Sequence, residues 1–400
     1  MSRPPRALAM VAAALGASLV LATLTVPEYS SPRCATRWSG TPSSPIQHLF
    51  LIVQENHAFE NYFGAFPGVA GYPPNGSFPS SFHGSGTVAP YALSGFNTSD
   101  FEHDRGSELV EWDGGKNDQF VAQANASGFP HPNETVGHYT AKQLAGYWSL
   151  AQQYGLGDHF FSGVLGPTAP NRIFDLTAFS GDGWYFDTPP PNDIADRPTI
   201  LGQLSQAGVP WAYDYAGTAQ DLAPTFFPAI THDGCSADRI LPVSDLSAQL
   251  RPGPVPSVVY IDSSNSRIVS EHPPQNVSVG EAWAISLIDS ILQSPVGSSS
   301  MILLFYDEAG GFWDPLPPPM TSTGLDGFRV PILAISPWTP AHTLCATTLD
   351  PAAVLHFVDE NWGLPYLNDR VATAPGLGCF LDLTHPARTS LPLVTTGGAD

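Results

Sequence analysis

Apolar residues in this chain gather into short, nearly unbroken runs rather than alternating with polar ones. Runs at 46–53, 257–261, 301–306 and 330–337 have the length and density of strands buried on both faces, and 209–213 begins another. Between them the period changes to three or four residues. Leu144, Tyr147, Trp148 and Ala151 share one face over 141–154; Ala284, Leu287, Ile288 and Ile291 share another. The second helix carries Ser278 and Glu281 at capping-box spacing. Shorter helices are predicted at 199–207, ended by Gly208, near Asn171, and from Asp350-Pro351 to about Asn361. Strand, loop, helix and strand over 257–306 form a βαβ unit, for which a right-handed crossover is expected. The pattern predicts an α/β fold with a mostly parallel sheet.

The residues that follow the runs carry the chemistry. The run 301–306 ends in Asp307-Glu308-Ala309-Gly310-Gly311, and 46–53 ends in Gln54-Glu55-Asn56-His57. Open α/β sheets place ligands beyond the carboxyl ends of their strands, and paired glycines let the chain turn there. Adjacent carboxylates at a buried edge need positive compensation, which a metal cation supplies. An exposed acidic turn is the plain alternative for one strand end; a second acid-bearing end favours the metal. Asp214 and Asp262 follow two further runs.

Gly166-Pro167-Thr168-Ala169-Pro170-Asn171-Arg172 presents a hydroxyl on a stiff turn at a helix start, where backbone N–H groups suit an anion; an N-cap threonine is the other reading. His103 lies between Glu102 and Asp104, and His272 between Glu271 and Pro273. Glu55, Asp307 and Glu308 offer hard oxygen ligands, and Asn56 an amide oxygen. Metal coordination would favour the alkoxide of Thr168 as nucleophile. A histidine can protonate a leaving oxygen, and the Arg172 fork suits a pair of phosphate oxygens. Walker, GxSxG and HExxH motifs are missing.

Charge narrows the partners. The 400 residues include 15 basic and 36 acidic side chains, a net charge of -21. That excludes a nucleic-acid partner and electrostatic docking on anionic lipid; it fits an exported protein working at low pH. Arg3 and Arg6 precede an apolar segment at 7–26 that reads as a signal peptide or signal anchor. A linker at 27–45, a catalytic domain at 46–385 and a tail at 386–400 complete the division. Export favours disulfides; four cysteines allow three pairings, among which chain proximity favours Cys345 with Cys379 without excluding the others. The Gly-, Pro- and Ser-rich stretch 63–92 is expected to line the site entrance.

These motifs resemble, in order, those of the bacterial phosphoesterase family, which contains acid phosphatases and non-specific phospholipases C. Gln54-Glu55-Asn56 with Asn61-Tyr62-Phe63-Gly64 is similar to its opening motif. Thr168-Ala169-Pro170-Asn171-Arg172 resembles T-x-P-N-R, and Asp307 to Asp314 resembles D-E-x-G-G-F-x-D-H. The resemblance implies an alkaline-phosphatase-like α/β fold with long loops around the site. It implies a divalent metal (Ca, Mg, Mn, Zn or Fe) on Glu55, Asn56, Thr168, Asp307 and Glu308, with Thr168 as nucleophile. It implies His272 and His103 as catalytic, and Asn56 and Arg172 as substrate-binding; His48 and His57 read as structural. Pro315 replaces the motif's last histidine. The expected activity is acid-phosphatase-like, through a phosphothreonine. The alternatives are a phospholipase C acting on phospholipid head groups and a cell-surface binding protein that has lost catalysis. The acidic surface, and the further C-terminal domains of the larger phospholipases, favour the small ester. Membrane contact is expected only through the N-terminal segment, with no protein partner.

Overall fold

The computed structural model describes residues 38–393, apart from 74–75, 180–182, 235–238, 323, 386, 390 and 392. The N-terminal apolar segment, Cys34 and Cys235 lie outside the described residues. Among those described, no helix is long and apolar enough to cross a membrane.

The apolar runs form one sheet. Its strands are β1 (His48–Gln54), β2 (Gly155–Gly157), β3 (Trp211–Tyr215), β4 (Ile240–Pro242), β5 (Val258–Asp262), β6 (Ser300–Tyr306), β7 (Ile332–Ile335) and β8 (Thr343–Cys345). They lie in the order β8-β2-β7-β6-β1-β5-β3-β4. Only β7 runs against its neighbours; the other pairings are parallel. Strands β1 and β6 are buried almost end to end, as continuous apolar sequence requires. They pair from His48 opposite Ser300 to Gln54 opposite Tyr306. On its other side β1 pairs with β5, Val53 standing opposite Asp262. The βαβ unit is therefore opened by β1, which lies between its two strands. Glu55, Asp262 and Asp307 consequently leave the sheet side by side.

The helices that bear on the site are α1 (Phe59–Phe63), α2 (Arg105–Trp112), α3 (Ala145–Gln153), α4 (Thr168–Thr177), α5 (Val277–Gln293) and α6 (Pro351–Asn361). The predicted apolar face of α3 is buried, and α6 starts on its Asp350 cap. Three local expectations are corrected. Helix α4 starts at Thr168, not near Asn171, and Pro167 holds the cap position, so Thr168 is not an N-cap. The cap of α5 is Asn276, whose side chain accepts from Ser278 N–H at 2.9 Å; Glu281 instead accepts from Tyr147 N–H at 2.9 Å, and no capping box forms. Asp214 lies within β3 rather than beyond it, and Gln249 donates to both its oxygens at 2.9 Å. Cys345 and Cys379 form the expected disulfide, which ties β8 to the segment at 377–380.

Candidate active site

The acids at the three strand ends are buried around one cation. Arg172 reaches in from the second turn of α4 and is itself 5% exposed. Its Nη2 lies 3.0 Å from Glu55, its Nη1 3.3 Å from Asp262, and its Nε 3.3 Å from Asp307. One guanidinium thus serves three carboxylates, and Glu308 beside them is also buried. Burial and then Asp307 push the carboxyl groups of Glu55 and Glu308 well above the usual range. Burial and then Glu308 do the same to Glu108 and Glu111 on α2 (burial and Glu308 being the two largest causes). Negative groups outnumber the positive charge here, so a further cation would stabilise the site.

The second strand end is folded back onto the first. Asn56 has φ 61°, and its N–H donates to Asp307 Oδ1 at 3.2 Å, which also accepts Glu308 N–H at 2.8 Å. Gly310 follows at φ 65°, where a Cβ would stand 2.3 Å from the Asn56 carbonyl oxygen. Only glycine tolerates both that angle and that approach. Asn56 Oδ1 and Glu308 Oε1 are among the buried oxygens left with no hydrogen-bond partner.

The hydroxyl and the histidines complete the site. Thr168 is the first residue of α4 and lines a cavity of about 410 Å³ together with Glu55, Arg172, Asp262 and His272. The Asn171 side chain clasps the preceding turn, accepting from Val164 N–H at 2.9 Å and donating to the Gly166 carbonyl at 2.9 Å. His272 Nδ1 donates to the Pro273 carbonyl at 2.6 Å, and His103 Nδ1 to the Phe101 carbonyl at 2.6 Å. His272 therefore keeps Nε2 for chemistry, whereas His103 Nε2 is engaged by the Asn56 amide. The rings lie edge to face, 6.0 Å apart. His103 Nε2 is 3.2 Å from Asn56 Nδ2 and 3.9 Å from Glu308 Oε1.

All eight residues singled out in the sequence thus meet at one end of the sheet, through the cavity wall or through shared hydrogen bonds. Arg172 is occupied by carboxylates there. His48 and His57 stand as expected: His57 is buried between Asn61 and the Glu271 carbonyl, and burial pushes its pKa down to about 3. Asp314 turns away from the cavity towards Arg329, 2.9 Å away, and Asn117 holds the Pro315 turn through the Asp314 and Leu316 carbonyls at 3.0 Å each. Three participants were not assigned from sequence. Asp262 was legible by analogy with Glu55, as the acid closing an apolar run. Asp187, which accepts Ala169 N–H at 2.8 Å and so occupies a donor in the first turn of α4, comes from a loop with no pattern. Glu271 is the third.

The profile of the Phosphoesterase family matches residues 46–365, which include every one of these site residues. Phospholipase C A of Mycobacterium tuberculosis is 25% identical over 388 residues, covering 81% of this chain and 74% of its own. The hemolytic phospholipase C of Pseudomonas aeruginosa is 24% identical over 401 residues, covering 80% of this chain and 53% of its own. Among solved structures, a protein of the alkaline phosphatase superfamily from Vibrio parahaemolyticus aligns with a TM-score of 0.40 and 12% identity, over 78% of this chain and 77% of that one. Since the family profile spans four-fifths of the sequence and the whole of the site, the chain belongs to the Phosphoesterase family and is a hydrolase of phosphate esters.

Proposed function

We propose that hydrolysis passes through Thr168 at a site that holds a divalent cation. The observation that carries this reading is the common cavity of Thr168, Glu55, Arg172 and His272 at the sheet's acidic end. The residues fit a cation. Asn56 Oδ1 and Glu308 Oε1 are buried without a hydrogen-bond partner, and the carboxylates exceed the charge of Arg172. Among the described residues no three His, Cys, Asp or Glu side chains stand together so as to hold a metal ion by themselves. The proposed ligand set therefore includes neutral oxygens: Glu55, Asn56, Thr168, Asp307 and Glu308. Hard oxygens suit Ca, Mg or Mn and are also found with catalytic Zn and Fe.

When bound, such an ion would offset phosphoryl charge and favour ionisation of the Thr168 hydroxyl. Thr168 Oγ1 then attacks phosphorus; an Oγ1–P bond forms as the bond to the leaving oxygen breaks. His272 Nε2, unengaged within the protein, takes up the proton that Thr168 releases and delivers it to that oxygen, and His103 is placed to assist. Water cleaves the phosphothreonine in a second step. Arg172 keeps the three strand-end acids together, and its Nη1, ion-paired with Asp262 at 3.3 Å but without a hydrogen-bond partner, supports the phosphate-clamping role.

A small phosphate ester is the substrate that the acidic surface favours. The relatives bear the name phospholipase C, which favours the second reading, a phospholipid head-group ester. The Cys345–Cys379 disulfide supports an extracytoplasmic location. Purified protein should be assayed on p-nitrophenyl phosphate and phosphatidylcholine in parallel, before and after chelation and ion add-back. Turnover lost to the chelator and restored by one ion is expected. Turnover indifferent to chelation would sink the metal role, and lipid turnover alone would decide for the phospholipase.

A further inference from the structure

Glu271 is fully buried, yet its carboxylate accepts four hydrogen bonds. The phenols of Tyr62, Tyr147 and Tyr306 each donate at 2.6 Å, and Gln54 Nε2 donates at 3.0 Å. Three of the residues in this cluster are chain neighbours of site residues. Gln54 precedes Glu55, Tyr306 precedes Asp307, and Glu271 itself precedes His272. Successive side chains of an extended chain point to opposite sides. Gln54 and Tyr306 accordingly meet Glu271, while Glu55 and Asp307 meet Arg172.

The surroundings are shaped to keep this carboxylate in place. Glu271 has φ 67°, a backbone region costly for a residue with a Cβ. Its carbonyl is held by His57 Nε2 at 3.0 Å, and Glu55 N–H donates to the Ser270 carbonyl at 3.0 Å. Gly280 of α5 leaves the room: a Cβ there would lie 2.1 Å from Glu271 Cγ. The ionisable groups around it are the three phenols, Tyr139, His57, His272 and the carboxyl of Glu281. Burial pushes both Glu271 and Glu281 up to about 7.

We propose that Glu271 is the positioning residue of the active site: its carboxylate, held by three phenols and Gln54, sets His272, Glu55 and Asp307 in register with one another. The inference rests on the reading of His272 as proton donor. Glu271→Gln keeps the shape of the side chain, but the amide accepts through one oxygen and turns hydrogens towards a phenol. On p-nitrophenyl phosphate, or on phosphatidylcholine if that is the ester turned over, kcat should fall about ten- to a hundredfold with little change in KM. The limb of the kcat–pH profile that reports the proton donor should also move. Tyr147→Phe, which removes one donor and leaves the carboxylate, should give a smaller loss in the same direction. A folded Glu271→Gln protein with wild-type kcat and pH profile would overturn the proposal, as would a loss of kcat matched by an equal loss of folded protein. If the wild type turns over no phosphate ester, the catalytic reading fails instead. The ¹⁵N spectrum of the histidine rings then decides: a shifted His272 signal in Glu271→Gln supports positioning, and an unmoved one overturns it.

Discussion

The guanidinium of Arg172 is shared by Glu55, Asp262 and Asp307, so its loss leaves three buried carboxylates facing one another. Breaking a buried ion pair from one side costs about 3–5 kcal/mol. Arg172→Gln is therefore expected to lower the free energy of unfolding in urea by about that amount, besides impairing turnover. A change below about 1 kcal/mol would mean that the acids are relieved by something other than Arg172. The sequence marked Arg172 through its motif and paired it with phosphate. The acids that its fork meets depend on β1 lying between β5 and β6, a long-range arrangement that local pattern does not encode. Residue types at strand ends were legible because burial makes acids conspicuous there. Asp187 was not, because a loop carboxylate has no period to betray it.

At the scale of elements, the turn after β6 is the most constrained piece of the site. Gly310 combines φ 65° with an approach to the Asn56 carbonyl that excludes a Cβ. Gly310→Ala should separate the two acid-bearing strand ends, destabilising the fold by about 1–3 kcal/mol and reducing turnover further than the loss of folded protein explains. Circular dichroism melting beside kinetics checks this; wild-type values in both would contradict the account of the turn. Buried parallel strands were readable because both their faces demand apolar side chains. Helix starts were less so. The Ser278–Glu281 box lost to Asn276, which reaches the Ser278 N–H, while Glu281 was drawn to α3. The start of α4 moved back to Thr168 because proline is tolerated in a first turn, as Pro170 is.

Across the whole molecule, burial raises many carboxyl groups: Asp214 to about 8, and Glu271, Glu281 and Asp326 each to about 7. The sign follows from linkage. A carboxyl with a folded pKa above its unfolded one binds its proton more tightly when folded. Its contribution is greatest below the unfolded value near 4 and is lost as pH rises through 7 to 8. The net charge of -21 adds self-repulsion in the same direction. The melting temperature should therefore be higher at about pH 5 than at about pH 8.5; the reverse order in a buffer-matched scan would contradict it. The working range at low pH expected from composition is a separate matter, and the pH optimum of activity tests it.

The central claim is the phosphothreonine at Thr168, and acid-quenched turnover read by peptide mass spectrometry tests it most directly. The account predicts a phosphoryl group on the peptide at Thr168 during turnover, and none in Thr168→Ala, which should lose nearly all activity while remaining folded. An unmodified Thr168 peptide throughout turnover, with Thr168→Ala still hydrolysing the ester at the wild-type rate, would contradict it.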